Sequence, residues 1–376
     1  MALQLSSLSQ RFAAWVLLTG ALCLLPALAW AQRVAFINPG KSDEAFWVSA
    51  TRAMEAAARD LVVELEVRYA ERQFPLALEV AREIAARPEA QRPQYVVVVN
   101  EGTAGPELLR ILADKTQVFM AYSGITQPAD VAAVGAPRQK FAKWIGSLEP
   151  KASEAGYLTA RELLFKARSQ GLKAADGKIH LLAIGGDRST PTSVQRSLGM
   201  RRAVEEAGDV IIDQEVNAQF NRQKAQEMAE QLFVRFPQAR AVWAGSDQMA
   251  FGAMQALESR GGTPGKQVLF SGINTSREAL ESVKSGRLAA LAGGHFVLGA
   301  FALTMIHDHH KGIDFAKSEG LALEASMFVL FSPKDVDLFM ARYGQDRFDA
   351  IDFRRFSKVH NRQLKRYDFS FRQLLR

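Results

Sequence analysis

The 376 residues are 48% hydrophobic and 23% charged, which excludes a disordered or collagen-like chain and leaves room for two ordinary domains. The net charge is +7, concentrated late in the chain, and a single cysteine, Cys23, excludes a disulfide framework. Residues 1–31 stand apart: one basic side chain, Arg11, no acid, an apolar run from Phe12, and a small-x-small end at Ala29-Trp30-Ala31. This reads as a secretory leader, with a mature chain beginning near Gln32. A membrane anchor is the alternative, and Pro26 and Gly20 argue against it. Ala21-Leu22 before Cys23 fit a lipoprotein site poorly, so the mature chain is expected to have no thiol chemistry. No other stretch approaches a membrane span.

In chain order, 33–38 reads as a strand and 45–60 as a helix. A strand at 64–69 and a helix at 76–86 follow. The continuous apolar run 95–99 reads as a buried parallel strand, stopped by Asn100-Glu101-Gly102. Residues 106–113 form a helix with Pro106 in its first turn, and 117–121 a strand ending at Tyr122-Ser123-Gly124. The strand 143–150 leads to a helix at 152–167. A strand at 178–184 ends at Gly185-Gly186-Asp187-Arg188, followed by a helix at 196–207, a strand at 210–217 and a helix at 223–236. The short apolar run 241–244 stops at Gly245-Ser246-Asp247, and a helical pattern begins at Met249. The run 268–270 stops at Gly272-Ile273-Asn274, and another apolar run starts at Leu288. Strand and helix alternating at this spacing predict parallel βαβ units, wound as two similar lobes. Ligands of such sheets lie at the carboxyl ends of the strands, where Ser246, Asp247 and Asn274 stand.

These residues resemble the sugar-binding proteins of bacterial ABC transporters, the ribose- and galactose-binding type. That family shows Asn-Asp-x-Met-Ala-x-Gly-Ala where this chain has Ser246-Asp247-Gln248-Met249-Ala250-Phe251-Gly252-Ala253. Its Gly-x-Asp is here Gly272-Ile273-Asn274, and its Gly-Lys/Arg-Leu-Ala-Ala is Gly286-Arg287-Leu288-Ala289-Ala290. Ala45-Phe46-Trp47 matches Pro-Phe-Phe/Trp, Arg196-Ser197-Leu198-Gly199-Met200 matches Arg-x-x-Gly-Phe, and Phe220-Asn221-Arg222 matches a Phe flanked by acids and Arg. The resemblance covers roughly residues 33–332. It implies a type I periplasmic binding protein: two Rossmann-like lobes with parallel sheets, joined by a three-crossing hinge. The implied division is 1–31 leader, 32–147 first lobe, 148–292 second lobe, 293–323 and 324–332 as returns to the first and second lobes, and 333–376 a basic extension.

The ligand positions so implied are Phe46, Trp47, Tyr122, Ser123, Arg196, Phe220, Ser246, Asp247 and Asn274. Flat aromatic faces suit the apolar C–H face of a sugar ring. Adjacent Phe46 and Trp47 cannot share one helix face, so at least one is expected in the cleft, the other reading being that both are core. Phe220 would close the ring from the opposite lobe, or simply pack. Arg196 offers a forked donor, or is an exposed helix arginine. Asp187 and Arg188 are weaker candidates. Asp247 either accepts from ligand hydroxyls or caps the helix beginning at Met249; the cap is preferred, which leaves Ser246 as the contact. The chain departs from the pattern at Ser246, at Asn274, at Tyr122-Ser123 where Asp-Arg is usual, and at Gly293-Gly294-His295 where Gln is usual. A less polar pocket follows, or a ligand other than a simple monosaccharide.

His307-Asp308-His309-His310 is read as a solvated helix end rather than a metal site, because only His307 and His310 share a face. No catalytic constellation, cofactor motif or phosphate loop emerges, so no enzyme is expected. Between Arg354 and Arg376 eight Lys or Arg interleave with Phe356, Tyr367, Phe369 and Phe371. This tail either wraps back on a lobe or docks on an acidic partner or anionic lipid. The resemblance implies a periplasmic monomer that captures a sugar-like ligand for an ABC-type importer, the alternative being a co-receptor for a membrane sensor. No cofactor, metal or nucleic acid is implied.

Overall fold

Each apolar run that stops at a polar turn becomes a strand, and each amphipathic stretch after it a helix covering the sheet. The computed structural model describes residues 32–344 and 346–375. The expected leader, with Cys23, lies outside the described residues. The first sheet holds β1 (Gln32–Asn38), β2 (Val63–Tyr69), β3 (Tyr95–Val98), β4 (Gln117–Ala121), β5 (Trp144–Pro150) and β11 (Ala322–Ala325), in the order β11-β5-β4-β3-β1-β2, all parallel. The second holds β6 (Ile179–Gly185), β7 (Val210–Asn217), β8 (Ala241–Ala244), β9 (Leu269–Ile273), β10 (Ala290–Gly293) and β12 (Val329–Leu330), in the order β12-β10-β9-β8-β6-β7, with only the β10–β12 pairing antiparallel. The two windings are the same, as the two-lobe Rossmann-like expectation requires. Central strands β3 and β8 are buried along their whole length, whereas edge strand β7 is half-buried throughout.

The chain changes sheet three times. β5 leads into α5 (Ala152–Ser169), which packs on β9 and β10 of the second sheet. β10 leads through Gly294 to α10 (Leu298–His310), which packs against α1 (Ala45–Leu61) of the first lobe. β11 leads to β12. β5 holds residues to Pro150 and β11 to Ala325 in the first sheet, so these two crossings lie a few residues after the expected 147 and 323. The helix expected from Arg196 is α6 (Pro191–Ala207), begun a turn earlier because Pro191 occupies its first position.

The tail folds back on the body. α11 (Pro333–Tyr343) opens with a capping box between Ser332 and Asp335 and bonds the second lobe through Lys284–Asp337, at 2.7 Å. Further on, Asp346 pairs with Arg52 at 2.7 Å, and the Phe353 amide donates to Asp60 at 2.8 Å, both on α1 of the first lobe. Phe353, Phe356, Phe369 and Phe371 are buried. At about 1.5–3 kcal/mol for each side chain taken from water, wrapping is strongly favoured. The histidine cluster is therefore not a solvated end. His307 is 4% exposed and Asp308 fully buried, because the tail covers them. The Asp308 carboxylate accepts from the Lys358 amide (2.6 Å), the Val359 amide (3.3 Å), the Tyr367 hydroxyl (2.8 Å) and the Ser357 hydroxyl.

Candidate functional site

In both sheets the strand order reverses beside the first strand, at β1/β3 and at β6/β8, and the loops leaving the carboxyl ends face one another there. The nine residues expected from sequence come together. Phe46, Trp47, Tyr122, Ser123, Arg196, Phe220, Ser246, Asp247 and Asn274 all line one hollow between the lobes. Phe46 and Trp47 lie in the first turn of α1, and Tyr122 and Ser123 directly follow β4. Phe220 follows β7, Ser246 and Asp247 follow β8, and Asn274 follows β9. Three of the nine carry left-handed backbones: Tyr122 (φ 64°), Phe220 (φ 56°) and Asn274 (φ 104°). Such conformations cost about 1–3 kcal/mol each, and here they turn side chains at strand ends. Gly186 makes room for Phe220: a Cβ there would stand 2.4 Å from its ring.

Both adjacent aromatics reach the hollow, although Trp47 is only 4% exposed and belongs to the core as well. Phe46 stacks on His295 at 4.7 Å, and Trp47 meets Tyr122 edge-on at 5.1 Å. The Tyr122 hydroxyl donates to the Phe296 carbonyl and accepts from the Gly299 amide, both at 2.9 Å. Its ring, not its hydroxyl, is what the hollow meets.

The preferred reading of Asp247 as the helix cap is corrected. Ser246 has the extended backbone a cap requires (φ −152°, ψ 163°), and its Oγ accepts from the Met249 amide at 3.3 Å. Asp247 is already helical, the first residue of α8 (Asp247–Glu258). Its Oδ1 accepts from the Gln248 amide at 2.8 Å and from Asn274 Nδ2 at 3.0 Å. Burial raises its pKa, while the bonds from Ser276 and Asn274 oppose the rise. The serine expected to meet the ligand therefore caps the helix with one lone pair and keeps its O–H for another partner.

Arg196 is not an exposed helix arginine; it is buried. Nη1 donates to the Gly245 carbonyl at 2.7 Å, and Nη2 lies 2.9 Å from His295 Nε2. Guanidinium can only donate, so Nε2 is the acceptor and the neutral imidazole carries its proton on Nδ1. Burial, reinforced by the Arg196 charge, holds the His295 pKa well below its ordinary value. Burial also lowers Arg196 to about 10, against the attraction of Asp247 and Glu101.

Arg72 and Glu101 line the hollow and were not singled out from sequence. Arg72 Nε donates to Glu44 Oε2 at 2.9 Å, and Nη1 donates to Glu101 Oε1 at 2.6 Å. Burial raises the Glu101 pKa, and the Arg72 charge opposes it. The guanidinium also lies 5.5 Å from the Phe220 ring centroid, across the cleft. One usable signal existed: Arg72 stands three residues after β2, as Phe220 stands three residues after the matching strand β7. Beyond this wall lies a wider outer cleft that shares Arg72, Phe220 and Glu101 with the hollow. Asp187 lines the outer cleft; Arg188 lies in a separate groove beside α6.

Among the described residues no cluster of His, Cys, Asp or Glu could hold a metal ion, and no helix is long and apolar enough to cross a membrane.

A family model described as "Periplasmic binding protein domain" matches residues 34–313. The chain is 31% identical over 133 residues to the ribose import binding protein RbsB of Bacillus subtilis, covering 35% of this chain and 42% of that protein. It is 30% identical over 119 residues to the Salmonella typhimurium protein of the same name, covering 31% and 38%. These matches span less than half the length of those relatives. A solved structure, a periplasmic sugar-binding protein from Pseudomonas fluorescens, superposes with a TM-score of 0.82 at 36% identity, over 92% of this chain and 100% of that one. The binding component of the arabinose ABC transporter from Shewanella sp. ANA-3 shares the fold, with a TM-score of 0.68 at 20% identity, over 85% of this chain and 97% of that one. Two like-wound lobes around a shared hollow, with the family match running through both sheets, make this chain a member of the periplasmic binding protein family.

Proposed function

We propose that the protein captures a small polar solute of the sugar class between its lobes and delivers it to an ABC-type importer. The observation that carries this reading is the meeting of Phe46 and Trp47 from one lobe with Arg196, Phe220 and Asn274 from the other around one hollow. A solute touching both lobes binds the closed form better than the open one and shifts the population toward closure. Closure brings the two lobe surfaces into the arrangement an importer would recognise. The sugar-binding description of the Pseudomonas fluorescens relative supports the ligand class. Export by the leader to the periplasm belongs to the same reading.

The co-receptor alternative draws on one observation. The wrapped tail leaves Arg354, Arg355, Arg362, Lys365, Arg366 and Arg372 exposed, a basic surface that capture alone does not need. A thermal-shift screen of sugars and related polar metabolites tests the main reading. A true ligand at a hundred times its Kd adds about 2.7 kcal/mol and raises Tm. No response to any sugar-class compound would sink it.

A further inference from the structure

Arg196 is more than nine-tenths buried, yet among the described residues its guanidinium bonds only a carbonyl and a neutral imidazole. Asp247 and Glu101 attract it through space, but no anion hydrogen-bonds it, and a buried guanidinium so placed costs several kcal/mol. The acids nearby are otherwise engaged. Glu44 and Glu101 share Arg72, and Asp247 directs its oxygen to Gln248 and Asn274 rather than bonding Arg196. Burial moves Glu101 toward its neutral form, which lessens the negative charge facing a guest.

The unpaired polar atoms agree. Four residues that line the hollow and are each at least 95% buried carry an atom without a partner: Trp47 Nε1, Ser123 Oγ, Arg196 Nε and His295 Nδ1. The indole and guanidinium nitrogens can only donate, and His295 Nδ1 holds the proton that Nε2 lacks. Only the serine hydroxyl can also accept. A guest made solely of hydroxyls brings one donor with every acceptor and leaves this excess of donors unmatched. A guest with a carboxylate brings acceptors without donors, and an anion in hydrogen-bond reach of Arg196.

We propose that the solute is an acidic sugar, a single ring or open-chain sugar bearing one carboxylate, with that carboxylate serving as the counter-ion of Arg196. Trp47, His295 and Ser123 supply donors to its remaining oxygens, and Phe46 and Phe220 cover its apolar faces. Arg72 is already hydrogen-bonded to Glu44 and Glu101, which leaves Arg196 as the guanidinium able to bond a guest, and one guanidinium suits a monoanion better than a phosphate dianion. This inference rests on the sugar-class reading above and narrows it.

The test is calorimetric titration of the exported protein at pH 7. D-Galacturonate, D-glucuronate and D-gluconate are compared with D-galactose, D-glucose and the methyl ester of D-galacturonate. At least one acid is expected to bind about 100-fold tighter than its neutral counterpart, the loss typical of removing one partner of a buried charge pair. Arg196→Gln should abolish that preference, and Arg196→Lys should retain part of it. The acid-to-neutral comparison is made on the unmodified protein, so it stands even where a variant folds poorly. Neutral sugars binding as tightly as their acids would overturn the proposal and leave the sugar reading intact. An acid preference unchanged in a folded Arg196→Gln protein would likewise overturn it. Binding of neither class would overturn the sugar reading and this proposal together.

Discussion

Arg72 and Phe220 face one another across the cleft, the guanidinium carbon 5.5 Å from the ring centroid. They hold matching places in the two lobes. Each stands three residues past its lobe's edge strand, with a left-handed backbone, φ 61° and 56°. Together they form the wall between the inner hollow and the outer cleft. A cation over an aromatic face contributes about 0.5–2 kcal/mol. Phe220→Ala removes this contact between lobes and a face of the proposed ligand site. It is expected to weaken solute binding by roughly 10- to 100-fold, mostly through faster release, while the unfolding midpoint without ligand moves little. Stopped-flow release rates check this; an unchanged rate would place the solute elsewhere.

Asp308 anchors the tail through two amides and two hydroxyls. Asp308→Asn keeps the shape but removes the charge and one accepting oxygen. Bonds to a charged acceptor contribute about 1.5–3 kcal/mol each, so a loss of roughly 2–4 kcal/mol is expected. Urea unfolding measures it. A midpoint equal to that of the parent protein would show that the tail does not depend on this carboxylate.

Gly294 marks the second crossing, with φ 112°, and a Cβ there would stand 2.5 Å from the Phe371 ring. Gly294→Ala meets both a strained backbone and an occupied space. Destabilisation beyond about 1 kcal/mol is expected. Pairing it with Phe371→Ala should recover less than the steric share, because that change also leaves a cavity costing about 3–5 kcal/mol. Thermal unfolding of the single and double variants reads the coupling.

His307 stacks on His360 at 5.2 Å, and neither of its ring nitrogens has a partner among the described residues. Burial lowers its pKa to about 4; Asp308 opposes the shift, and His360, Lys311 and His310 add to it. The unfolded chain binds this proton more readily than the folded one. The contribution to stability is therefore complete above the ordinary histidine range, near 6.5, and is lost as pH falls toward 4. At about 1.4 kcal/mol per pH unit, the loss amounts to at most about 3 kcal/mol. Denaturant unfolding at pH 7.5 and pH 4.5 should show it, and His307→Gln should flatten the difference. A pH slope identical in that variant would assign the effect to other groups.

Much of the site was legible because parallel strands bring their carboxyl ends to one edge. Ser246, Asp247 and Asn274 could be read from where apolar runs stop, and Tyr122 and Phe220 from the family resemblance, without knowing which lobe faces which. The cap was read at Asp247 and stands at Ser246, because capping depends on one backbone angle, which the residue types Ser and Asp leave open. Arg72 stayed hidden because an arginine after an edge strand carries no local mark. Its meaning comes from Glu44, Glu101 and a phenyl ring on the other lobe.

The alternation of apolar runs with amphipathic helices determined, by itself, two parallel sheets and a cleft between them, since burial and period act over a few residues at a time. Only the tertiary structure decided that Arg196 lies buried against His295, that Asp308 receives the tail, and that Phe371 fills the space above Gly294. Each joins residues about fifty or more positions apart. Such contacts depend on how whole lobes and the tail pack in space, which local patterning does not encode.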